Sequence, residues 1–294
     1  KIKQQKAMKF KILSVITLLG VSVLVSCNND LNVVQPSQFT SSSMWTEESD
    51  ATSAVNGLYT QFRNSFSFLL SDYGELRTNL YKSGNVNDAF YNRVGTNKIV
   101  PNDEGTDWRG IYTTINSANL ILKYAPNISF LKESTRNEVL ANAYFIRAYC
   151  YFTLARVFGD CPLLTVGYES AIQDDMYPMR TPVAKVFELV AEDIKQAESL
   201  IPASSKELHK ASPTAINMLK ADFYLWKAKR LNGDKNDLQT AQSAINSVLN
   251  SGYSLLPNFA DIFDVGKERN TEFIWTLPYT INENVGAGTS CDTY

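Results

Sequence analysis

The chain is poor in the residues that most catalysis needs. Histidine occurs once in 294 residues, as His209. Serine–histidine triads and multi-histidine zinc sites therefore have little support. The motifs GxSxG, HExxH, GxxxxGK[ST] and GxGxxG are all absent. His209 lies in a polar stretch before Ser212 and is expected to be a solvated residue. Cysteine occurs four times, at Cys27, Cys150, Cys161 and Cys291, with no CxxC and no histidine nearby. Metal ligation and thiol nucleophiles are not expected. Cys150 and Cys161 lie too far apart along a helix and a turn for a disulfide, and read as small buried apolar residues. Thirty acidic residues contain no pair that can be singled out for glycoside hydrolysis, which needs two carboxylates about 5–9.5 Å apart. No catalytic residue, metal or cofactor is assigned.

A long uninterrupted apolar run is missing too. The richest stretch, residues 138–158, carries Arg147 and Arg156, and a mid-bilayer charge costs about 2.5–3.5 kcal/mol or more. The run Ile12 to Val25 is too short to span a bilayer. It follows Met8-Lys9-Phe10-Lys11 and reads as a secretory signal. Residues 1–7 precede the first plausible start methionine and read as upstream read-through. The sequence Leu24-Val25-Ser26-Cys27 resembles a bacterial lipobox, which implies cleavage before Cys27 and diacylation of its thiol, with two chains giving stable anchoring. Residues 8–26 are then the signal and residues 27–46, polar with a Ser run, a tether. Removing the five lysines among residues 1–26 leaves 23 basic against 30 acidic residues, a net charge of −7. That is the wrong sign for a nucleic-acid binder.

What is present is helix. Composition is ordinary for a globular protein, 44% hydrophobic and 20% charged. In residues 138–158, Ala143, Ile146, Cys150, Leu154 and Val157 mark one face, and Tyr144, Ala148, Tyr151, Phe152 and Ala155 cover most of the rest. A helix apolar nearly all round is a buried one. Gly159 and Pro162 end it. Arg147 and Arg156 are expected to be ion-paired or capping. Further amphipathic helices are predicted from Thr46, as N-cap, to about Arg63, over 108–124 behind Asp107, over 182–201 behind a Thr181-Pro182 opening, over 213–231 behind Ser212-Pro213, and over 237–250. Residues 253–264 read as a short packed turn and Glu272 to Leu277 as a β-strand. Residues 64–106, rich in Asn, Gly and scattered aromatics, read as an ordered loop-rich segment. The pairs 213–231/237–250 and 137–158/182–201 resemble tetratricopeptide units. Two units are too few for a solenoid. Their faces must be buried against the chain's own loops or against residues not present.

These pieces together resemble the SusD/RagB family of outer-membrane nutrient-binding lipoproteins. The resemblance rests on the lipobox, Met44-Trp45-Thr46, Ala54 to Tyr59, Trp108 with Ile111-Tyr112, Asn270 to Trp275 and, above all, the block Arg147 to Leu163. Cys161 stands where the family has an aliphatic residue. The chain is shorter than the family's usual length and is expected to be an N-terminal fragment. The resemblance implies a mostly α fold, tetratricopeptide-like helical hairpins with long ordered loops, SusD-like, over residues 47–294. It implies a non-catalytic surface lipoprotein that captures glycans or another nutrient and delivers them to a SusC-like TonB-dependent transporter. Sugar binding needs flat aromatic faces and planar polar groups. The candidates are Asp72, Arg77, Tyr81, Asn85, Tyr91, Arg93 and Trp108, though packing or surface filling is the stronger reading for each, above all for Trp108 in a family helix motif. The alternative function is a helical-repeat protein–protein scaffold in the cell envelope. It would show a groove along the hairpins and no exposed loop-borne aromatic cluster.

Overall fold

A computed structural model describes residues 44–66, 73–78, 89–101, 103, 106–170 and 172–279. The chain divides into two compact units, Lys1–Met44 and Trp45–Tyr294, and the second is described here. The signal, Cys27, most of the tether, and Cys291 lie outside the described residues.

Seven α-helices occur among the described residues: α1 Glu48–Phe66, α2 Ala89–Gly95, α3 Arg109–Tyr124, α4 Glu133–Phe158, α5 Val183–Leu200, α6 Pro213–Arg230 and α7 Lys235–Leu249. The six long ones are those expected from hydrophobic periodicity. None is long and apolar enough to cross a membrane. α4 begins five residues earlier than its apolar pattern does and buries residues from Val139 to Ala155. Burying each large side chain, such as Phe145, Phe152 or Leu154, contributes about 1.5–3 kcal/mol. Gly159 ends the helix with φ +72°, a conformation glycine adopts without a Cβ penalty.

Two strands of two residues each, β1 Cys161–Pro162 and β2 Arg180–Thr181, pair antiparallel, Cys161 opposite Thr181. This ladder closes the base of the excursion between α4 and α5 and lets α5 return along α4. The second hairpin, α6–α7, turns at Asn232-Gly233-Asp234. A Cβ on Gly233 would sit 2.7 Å from the Ala228 Cα and 2.4 Å from Asp237, so only glycine fits. Asp234 and Asp237 complete a reciprocal capping box at the start of α7. A third helix pair lies within the chain itself. α1 packs on α3, and α3 and α1 both pack on α4. The two hairpins read from the sequence are thus flanked by a pair whose members are separated by 42 residues, a separation that hid their partnership.

The interior polar residues tie these pairs together. Arg147 on α4 is nearly buried. It donates two hydrogen bonds to Asp193 on α5, at 2.8 and 2.7 Å, and one to Asn119 Oδ1 on α3, at 2.7 Å. Asn119 in turn donates to the carbonyls of Leu164 and Val166. Tyr59 on α1 donates to Asn142 on α4 at 2.6 Å, and both oxygens accept the Ala211 amide. Arg156 is half-buried and ion-paired, as expected. It pairs with Asp222 at 3.0 Å and lies 4.1 Å over the Phe152 ring.

Four local expectations are corrected. Glu272 to Leu277 is not a strand, because no described strand lies alongside it. Its Thr276 amide bonds once to Leu208, and Trp275 packs between Phe62, Phe145 and Tyr149. The Thr46 hydroxyl does not cap α1; it donates to Asp50, whose carboxylate reaches back to the first amides. Thr181 does not cap α5 either. The Val183 amide is taken by Asp160, across the β1–β2 ladder. Residues 253–264 form one 3₁₀ turn, Phe259–Phe263, that leaves Leu255, Phe259 and Phe263 exposed rather than packed.

Candidate functional site

Four of the seven predicted ligand residues are described: Arg77, Tyr91, Arg93 and Trp108. Asp72, Tyr81 and Asn85 lie outside the described residues, as does Cys27. Trp108 precedes α3 and is half-buried. Its ring meets Tyr112 and Phe158 edge-on, at 5.7 and 5.3 Å, and carries the Arg180 guanidinium at 4.7 Å. Phe158 also touches Tyr73 at 5.9 Å, and Arg77 lies over that ring. Arg77 and Trp108 are therefore brought to one end of the bundle, joined through Tyr73 and Phe158. Arg77 is further fixed by Asn97 at 2.7 Å. Arg93 forms a bidentate pair with buried Asp103, which also accepts the Val100 amide. The Arg93 hydrogen bond, then that amide, hold the Asp103 carboxyl below its ordinary value of 3.8. Tyr91 is half-buried on α2. These side chains brace the loop segment against α3 and α4. Packing accounts for Trp108 and Arg93, while Arg77 keeps an exposed guanidinium.

A different surface collects the exposed aromatics. A cleft of about 520 Å³ is lined by His209, Phe263, Asp264, Glu268, Arg269, Thr276 and Tyr279, with Phe273 and Leu277 among its apolar walls. Sequence reasoning assigned none of these a role. His209 is not a solvated residue: its Nδ1 lies 3.0 Å from the Thr276 hydroxyl and 3.3 Å from the Thr276 carbonyl. Buried Arg63, at the end of α1, donates to the Pro278 carbonyl at 2.5 Å and lies 5.2 Å from the Tyr279 ring. Asp264 turns the opposite wall by accepting the Gly266 amide, and Lys267 bridges Asp261 to Asp264. The signal that could have found this wall was Phe259 and Phe263 beside the charged run Lys267-Glu268-Arg269. That mixture suits a surface that is wet and apolar at once.

Both cysteine thiols are silent. Cys150 and Cys161 are buried and free. Burial pushes the Cys161 thiol up to about 11 and that of Cys150 well above its ordinary value. Among the described residues no group of three or more His, Cys, Asp or Glu is placed to hold a metal ion.

A helical scaffold of this kind agrees with known proteins. The SusD-like family described as starch-binding and associating with the outer membrane matches residues 32–225. The chain belongs to the SusD-like family. SusD-like protein P38 of Formosa agariphila is 26% identical over 255 residues, covering 85% of this chain and 48% of that protein. Among solved structures, NanU of B. fragilis superposes with a TM-score of 0.75 at 27% identity, over 85% of this chain and 51% of that one. A SusD superfamily protein of Bacteroides vulgatus gives 0.72 at 28% identity, over 81% and 50%. The chain spans about half the length of the relatives it matches.

Proposed function

We propose that this protein is a lipid-anchored, non-catalytic surface protein of the outer membrane. It captures glycans, or another nutrient, and passes them to a SusC-like TonB-dependent transporter. Membership of a family described as starch-binding and associating with the outer membrane, over two thirds of the chain, carries this reading. Residues 8–26 serve as signal, Cys27 as the acylated residue, 27–46 as tether and 47–294 as the binding body. The exposed, loop-borne Phe259, Phe263 and Tyr279 supply the aromatic faces that sugar rings stack on. Arg77, Tyr91, Arg93 and Trp108, with Asp72, Tyr81 and Asn85, remain candidate contacts of the loop segment. Glycan-array screening followed by calorimetry on the mature chain tests the reading. Failure to bind any polysaccharide, peptide or glycoprotein refutes it. Cys27→Ala should move the protein from the membrane to the soluble fraction.

The scaffold alternative has one observation in its favour. The last hairpin exposes Met218 and Leu225 on α6 and Leu238, Ile245 and Leu249 on α7, an apolar stripe that another helix pair could cover. Co-purification of an envelope protein that is lost on Leu249→Glu, with no glycan binding, would favour it.

A further inference from the structure

We infer that the cleft between His209 and Tyr279 is a binding site for a short, neutral oligosaccharide. The inference rests on the glycan-capture reading and gives it a location away from the loop segment expected from the sequence. Its volume, about 520 Å³, falls within the range of about 300–1,000 Å³ typical of small-molecule sites. Two aromatic side chains border it while keeping much of their surface in solvent: Phe263 is 72% exposed and Tyr279 is 50% exposed. Exposed phenyl rings cost free energy in water and gain from an apolar sugar face.

The polar lining decides the ligand's chemistry. Asp264 and Glu268 accept hydrogen bonds, and Arg269 donates them. Among the described residues neither Glu268 nor Arg269 has a hydrogen-bonding or ion-pair partner. A hydroxyl group can donate to a carboxylate and accept from a guanidinium, so a ligand rich in hydroxyls satisfies both. Lys267 lies 3.8 Å from Asp264, so with Glu268 and Arg269 the cleft wall carries two carboxylates and two cations, a balanced charge that gives an acidic ligand little net attraction.

The site is also preformed. Thr276 is held by Leu208 and His209, Pro278 by Arg63, and the 261–267 wall by Lys267. Ordering these groups costs little on binding.

The test uses the mature chain. A glycan array presenting neutral and acidic oligosaccharides identifies a ligand, and calorimetry then compares variants. Phe263→Ala and Glu268→Gln should each weaken binding by about tenfold or more with unchanged melting temperature. Ile172→Ala, on an exposed loop residue elsewhere, should leave affinity as it is. Arg269→Gln should weaken the neutral ligand without improving acidic ones. Retained affinity in Phe263→Ala, Glu268→Gln and Tyr279→Ala together overturns the site while leaving glycan capture standing. Preference for acidic ligands overturns the neutral assignment. No binding by the unmodified chain removes the parent reading, and this inference with it.

Discussion

Replacing Asp193 by Asn should be among the most damaging single changes this protein can suffer. The substitution keeps the side chain's shape and removes one charge. Arg147 then stays buried, only 6% exposed, opposite an amide. It cannot escape by losing its proton. A guanidinium stays charged in proteins; in the native protein burial works to lower it, but hydrogen bonding and charge pairing with Asp193 outweigh that and hold it above its ordinary value. Burial raises the Asp193 carboxyl, with Arg147 opposing the rise. Breaking a buried ion pair by removing one partner costs about 3–5 kcal/mol. For a domain of this size, at about 2–4 °C per kcal/mol, the melting temperature should fall by about 6–20 °C. The loss should not stay local, because Arg147 also holds Asn119, and Asn119 holds the carbonyls of Leu164 and Val166. Thermal unfolding followed by circular dichroism measures the effect. The double variant Arg147→Met/Asp193→Leu gives the control. With both charges gone it should recover most of the lost stability, since an apolar pair of similar volume is often neutral or better. A loss below about 1 kcal/mol in Asp193→Asn, or a double variant as unstable as the sum of the single ones, would refute the reasoning.

Three further outcomes follow from the structure. Gly233→Ala should destabilise the α6–α7 hairpin by about 1–3 kcal/mol through overpacking, read as a lowered urea midpoint with unchanged slope. Cys150 and Cys161 should resist a thiol reagent at pH 8 in the native protein and both react in denaturant, as peptide mapping would show. Stability should fall in acid through cap and pair carboxylates. Asp50 is lowered first by the Glu47 amide, Asp103 and Asp107 by their Arg93 and Arg109 partners, and Asp234 by the Asp237 amide. Their folded values lie below the ordinary 3.8. Their contribution is therefore complete above about pH 5 and is lost as pH falls through the folded values, measurable as a melting temperature that drops below about pH 4.

The helices were legible because a buried face repeats every three or four residues and some had a local stop, as Gly159 is for α4 and Gly233 for the turn after α6. The α1–α3 pair was not, because nothing in either helix names its partner. The same limit applies to caps. Ser212 caps its own helix through Ala215 and was readable. Asp160, which caps α5 from 23 residues upstream, was not. Glu272 to Leu277 has the β-branched and aromatic residues of a strand, yet composition makes a strand only where another edge is present to bond it. The cleft was hidden for a related reason. His209 is separated from Thr276 by 67 residues, and Arg63, which holds Pro278 beside them, is 215 residues from it. Trp108 and Arg93 stood out for their chemistry and turned out to be held by Arg180 and Asp103.

The β1–β2 ladder has a use beyond joining two helices. It fastens both ends of residues 163–179 at Cys161 and Thr181, so the length of that excursion is uncoupled from the α4–α5 packing beneath it. Lengthening a closed loop costs little, about 0.6 kcal/mol for each doubling. Its tip, around Ile172 and Tyr177, is fully exposed. This is a port in the scaffold, where a reporter peptide or a fluorophore could be inserted while the buried Arg147 network and the cleft keep their geometry.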